Sequence, residues 1–74
     1  MISKELFSFI GNLFGHDQAS YIKSILIALM KGTANKLELF RGGTILDNLL
    51  FTAPNLSLTL EIEEIKEKVV KFLK

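Results

Sequence analysis

His16 and Asp17 are the chain's one adjacent histidine–carboxylate pair, and such a pair is raw material for a general base or for part of a metal site. Either use needs company. A metal site draws several ligands from Cys, His, Asp and Glu, and a base needs a nucleophile or an orienting group within reach. The sequence holds one histidine and no cysteine, and no clustered carboxylate pair accompanies the dipeptide. His16 therefore reads as a loop residue and Asp17 as a helix cap. No catalytic residue, metal site or cofactor is expected, and the chain reads as a non-enzyme.

The stretch "FRGGT" offers a second kind of chemistry. Arg41, Gly42, Gly43 and Thr44 form a candidate anion-binding group, because a helix starting there would present free backbone N–H groups and the positive end of its dipole. The spacing and lysine of a phosphate-binding P-loop are missing. A Gly-Gly pair is also the ordinary mark of a turn.

The third candidate is a surface. Leu58, Ile62, Ile65, Val69 and Phe72 are spaced four, three, four and three apart, the seam of a helix that pairs with another helix, and Val70 and Leu73 broaden it. Glu61, Glu63 and Glu64 come early, while Lys66, Lys68, Lys71 and Lys74 come late, which suits the helix dipole. Glu64 with Lys68 and Glu67 with Lys71 are i,i+4 pairs in the favourable order. The charged side thus reads as a solvated face, and the seam of Leu58, Ile62, Ile65, Val69 and Phe72 as the expected partner-binding residues.

These residues need elements to hold them. Ser3 is an N-cap for a first helix, whose stripe of Ile2, Leu6, Phe9 and Leu13 is widened by Phe7, Ile10 and Phe14. Gly15 stops that helix, and Asp17 is expected to cap a second over residues 18–31, with Tyr21, Ile22, Ile25, Leu26, Leu29 and Met30 on a broad apolar face. This second helix should be the central, most buried element. Gly32 ends it, and Thr33 is expected to cap a short third segment, "ANKLELFR".

From there the letters support two folds. Two apolar runs separated by two glycines are a β-hairpin signal. The same letters fit a short helix ending at Gly42 and another capped by Thr44, with Asp47 three residues on. Leu46, Leu49 and Leu50 do not alternate, and leucine, asparagine and aspartate are poor strand formers beside valine, isoleucine and threonine, so helices are favoured. Pro54 breaks the chain. A last helix is expected from about Ser57 or Thr59 to Leu73, with residues 56–62 open to a strand reading because Leu56, Leu58, Leu60 and Ile62 also alternate. The expected fold is all-α, a compact bundle of four to five short helices in one domain spanning residues 1–74. The alternative is α+β, with a small hairpin around Gly42 and Gly43 and a C-terminal helix.

Composition then limits function. A chain this short needs unusually good packing or oligomerisation, because disulfides and cysteine-built zinc sites are excluded. Its hydrophobic fraction is 49%, high for a surface-rich small domain, and the surplus points to a homo-oligomer or protein partner. Net charge is +1, too small to draw in nucleic acid by its field. The alternative function, a small nucleic-acid-binding regulator of helix-turn-helix type over residues 33–51, suffers from a groove-facing helix whose polar side chains are only Asp47 and Asn48. Membrane-surface contact by residues 2–14 is disfavoured, since interfacial helices display several basic residues and this one has Lys4 beside Glu5. The longest apolar run, "ILIALM", is far short of the roughly 20 residues that span a bilayer, so no transmembrane segment is expected. No secretory leader is visible, which makes a cytoplasmic location the default. The sequence thus points to a non-enzymatic protein–protein interaction module that self-associates through an apolar helix face.

Overall fold

In the computed structural model, which describes residues 2–73, four helices carry the chain: α1 (Lys4–Phe14), α2 (His16–Lys31), α3 (Lys36–Thr52) and α4 (Leu56–Leu73). Among the described residues there is no strand, so the all-α expectation holds and the hairpin alternative does not. Lys74, counted with the late lysines of the last helix, lies outside the described residues.

The helix ends follow local chemistry. Ser3 caps α1, its Oγ accepting from the Leu6 N–H at 3.1 Å. Gly15 makes the α1–α2 corner alone: its N–H donates to Gly11 O at 2.9 Å, and its φ of 104° is one that side-chain-bearing residues avoid. This tight corner makes His16 the first helical residue, so Asp17 sits inside the first turn of α2 and is not its cap. Gly32, left-handed at φ 73°, closes α2. Asn35, and not Thr33, caps α3: its Oδ1 accepts from Glu38 N–H at 2.8 Å, and Glu38 Oε1 accepts from Asn35 N–H at 3.0 Å. Thr33 belongs to the end of α2, where its N–H donates to Ala28 O at 3.0 Å.

Asn55 begins α4 after the Ala53-Pro54 break, its Oδ1 accepting from Leu58 N–H at 2.9 Å. The alternating leucines are therefore helical. A strand would put Leu56, Leu58, Leu60 and Ile62 on one face. The helix divides them, burying Leu58 and Ile62 and leaving Leu56 and Leu60 in water. Glu61 ties this turn to α1, accepting from Ser3 N–H at 2.9 Å and from Ser3 Oγ at 2.6 Å.

α2 is the central element, touching each of the other three helices. It supplies Ala19, Ile22, Ile25, Leu26 and Leu29 to a core completed by Leu6 and Ile10 of α1, Leu46 and Leu49 of α3, and Leu58, Ile62 and Ile65 of α4. The radius of gyration is 11.3 Å, matching the roughly 11 Å of a compact chain of this length. The single chain therefore collapses fully around its own core.

α3 runs without interruption through Gly42 and Gly43. A hairpin turn would need positive φ at both, and among the described residues only Gly15 and Gly32 have it. Two interior glycines cost a helix about 1 kcal/mol each relative to alanine, which the burial of Leu46 and Leu49 and the Asn35–Glu38 cap offset. Only one of the two is needed by the packing. Leu29 fills the place where a Gly42 Cβ would stand, with Ile25 Cγ2 3.3 Å from that point, whereas a Cβ on Gly43 would meet nothing within 4 Å.

The two alanine substitutions should therefore differ in sign. Gly43→Ala should raise stability by about 0.5–1 kcal/mol, while Gly42→Ala should lower it, because overpacking a core costs about 1–3 kcal/mol. Urea denaturation followed by circular dichroism measures both; equal effects would contradict the close α2–α3 approach. At the cap, Asn35→Ala should cost about 1 kcal/mol in the same assay.

Candidate functional site

The residues singled out from sequence are not brought together. His16 opens α2 with its ring over the backbone of Gly11, where a Cβ would stand 3.0 Å from its Cε1, a packing role at the α1–α2 corner. Among the described residues no three His, Cys, Asp or Glu side chains group to hold a metal ion. No described polar or charged side chain is buried, so no acid or base is held out of water by the fold.

The helix start that was to make Arg41, Gly42, Gly43 and Thr44 an anion-binding group is not at these residues. All four lie inside α3, so their N–H groups sit within the helix and not at a free N-terminus. Thr44 Oγ1 donates to Phe40 O at 3.2 Å, Gly42 is buried against Leu29, and Arg41 reaches across to α2, donating to Tyr21 Oη at 2.6 Å. Within residues 33–51 there is one helix, α3, and no turn between two helices.

The α4 seam runs from inside to outside. Leu58, Ile62 and Ile65 belong to the chain's own core, Val69 packs partly against it, and Phe72 lies over Gly32 with its ring still exposed. Of the two intrahelical ion pairs expected beside it, Glu64–Lys68 forms at 4.0 Å, Glu67–Lys71 is not among the ion pairs of the described residues, and Lys66 meets Asp47 of α3 at 3.6 Å. The first helix spends Leu6 and Ile10 on the core and packs Phe7, Phe9 and Phe14 against it. Among the described residues no helix is long and apolar enough to cross a membrane.

What the structure exposes instead is the outward side of α3. Leu37, Phe40 and Phe51 are 55%, 75% and 91% accessible. At about 100° per residue they share an arc of roughly 80° with Thr44 and Asn48, both also exposed. None of the five is charged. The arrangement is legible only to a reader who carries the helical period across Gly42 and Gly43, and a break placed there hides it.

Beside this face, α2 and α3 with the last residue of α1 flank an open cleft of about 360 Å³. Phe14, Ile22, Ile25, Phe40 and Ile45 supply its apolar walls, and Gln18, Tyr21, Arg41 and Thr44 its polar part. A groove between α3 and α4, about 500 Å³, has Leu50 and Val70 among Glu63, Lys66, Glu67 and Lys71.

Compared with protein-family models, curated proteins and solved structures, the chain matches none.

Ile65 tests whether the α4 seam is internal. Ile65→Glu should abolish helical circular dichroism in the isolated chain, since an unpaired buried charge costs several kcal/mol. A folded variant altered only in its mass would mean that the seam is an intermolecular face.

Proposed function

We propose that this chain is a non-enzymatic protein-interaction module that pairs with a second copy of itself through the outward face of α3. The observation that carries the reading is the line of Leu37, Phe40 and Phe51, large apolar side chains left in water on one face of one helix. Withdrawing a phenylalanine from water contributes about 1.5–3 kcal/mol, and exposed apolar surface gathered in one place marks an interaction site.

A second copy suits the face because the residues are spaced evenly about Thr44. Leu37 and Phe51 are each seven positions from it, and Phe40 and Asn48 each four. An antiparallel two-fold pairing centred on Thr44 sets Leu37 against the partner's Phe51 at both ends, the self-complementary arrangement of a closed dimer. The contact would be built from aromatic anchors. Because the core is complete within one chain, the module would fold before it pairs, so association should respond to concentration without unfolding.

Size-exclusion chromatography with light scattering at tens of micromolar, an order-of-magnitude choice set by mass action, should give about twice the chain mass of 8.3 kDa. Phe51→Lys should return the species to the single-chain mass with its helical signal intact. A wild-type chain that stays at 8.3 kDa would sink self-association.

A further inference from the structure

We propose that the cleft between α2 and α3 binds a small amphipathic anion, a carboxylate carrying an aliphatic or aromatic tail. The proposal rests on where the cleft's polar groups stand and on their sign. Its volume of about 360 Å³ falls in the range of small-molecule sites, which are mostly apolar with a few placed polar groups. Five of the nine lining side chains, Phe14, Ile22, Ile25, Phe40 and Ile45, offer a tail only carbon.

The head is specified by Arg41, the chain's one arginine. Its Nη1 donates to Tyr21 Oη at 2.6 Å, joining α3 to α2 at the cleft. A guanidinium has five N–H donors in a planar fork, so most remain for a ligand, and the fork matches a carboxylate in two-point contact. The phenol accepts from Arg41 and keeps its own O–H to donate. Gln18 adds an amide, and no acidic residue lines the cleft. Arg41 also lacks a carboxylate partner within 4.0 Å among the described residues, whose ion pairs are Lys66–Asp47 and Lys68–Glu64.

The wider groove between α3 and α4 makes the contrast. There Glu63 and Glu67 stand with Lys66 and Lys71, so its charges balance and favour neither sign. The α2–α3 cleft, by contrast, couples apolar walls to a cation with no carboxylate beside it.

The ligand site goes beyond the self-association reading and shares Phe40 and Thr44 with its face, so the ligand test is read in the Phe51→Lys chain as well as in the wild type. Phe51 lies about 15 Å further along the helix axis than Arg41 and does not line the cleft. The test is a titration of the whole chain with octanoate, and with octanamide as the uncharged analogue, followed by amide chemical shifts. Octanoate should move the amides of Tyr21, Ile22, Ile25, Arg41 and Ile45 in a saturable manner. It should bind about five-fold more tightly than octanamide, the effect of one exposed charge pair.

Arg41→Gln, a change at an exposed position, should erase that difference. Phe51→Lys, whose change lies outside the cleft, should bind octanoate at least as tightly as the wild type. The proposal is overturned if shifts fail to saturate below about 10 mM, a few kcal/mol of binding, or if they centre on Glu63 to Lys71. Equal affinities for the two probes, or an Arg41→Gln variant that keeps the preference for octanoate, overturn it equally.

Discussion

The close seating of Leu29 and Ile25 on the bare backbone of Gly42 is the contact from which the rest of the arrangement follows. A side chain at that position would push against Leu29 and Ile25 and strain the α2–α3 packing. With α3 held there, Gly42, Leu46 and Leu49 face inward, and helical periodicity leaves Leu37, Phe40 and Phe51 facing out. The same approach brings Arg41 within hydrogen-bonding reach of Tyr21. One steric allowance thus sets both the exposed apolar face of α3 and the cleft beside it.

The apolar supply of the chain divides accordingly. α2 touches all three of its neighbours and spends almost its whole apolar face inward. α4 spends Leu58, Ile62 and Ile65 on the same core and leaves Leu56, Leu60, Val70 and Phe72 at the surface. Its N-terminal turns are tied to α1 by Glu61 and by Asn55, whose Nδ2 donates to Glu5 Oε2 at 3.3 Å. The surplus inferred from composition is real, but it is scattered on α4 and aligned on α3. Alignment is what makes a face able to meet another face, since isolated exposed leucines are ordinary on a protein surface.

Much of the architecture was legible from local signals. Ser3, Gly15, Gly32 and Pro54 marked boundaries because each acts on the few residues beside it, through a cap, a backbone conformation or a missing N–H. The central position of α2 followed from the width of its apolar face. Three cap assignments went astray; Thr44 lies inside α3 and caps no helix, and the other two have local reasons. Asn35 with Glu38 makes the reciprocal cap that Thr33 was expected to provide, and asparagine is the stronger capping residue. The one-residue corner at Gly15 moved the start of α2 ahead of Asp17. The candidate sites were less legible. The α4 seam was visible as a seam, but its spacing is the same whether it meets its own chain or another, and the α3 face was hidden by reading Gly42 and Gly43 as a break.

By itself, then, the sequence determined the helical class, most of the helix boundaries and the excess of apolar surface, because caps, stops and periodicity act over one or two turns of chain. Whether Gly42 and Gly43 turn the chain or lie within a helix was decided only by tertiary structure. The deciding atoms belong to Leu29 and Ile25, more than ten residues earlier, which occupy the space above one glycine and leave the other open. The same holds for which apolar residues became core and which stayed in water. Burial depends on the register between helices, and on α3 that register goes with the seating of Leu29 and Ile25 side chains on Gly42.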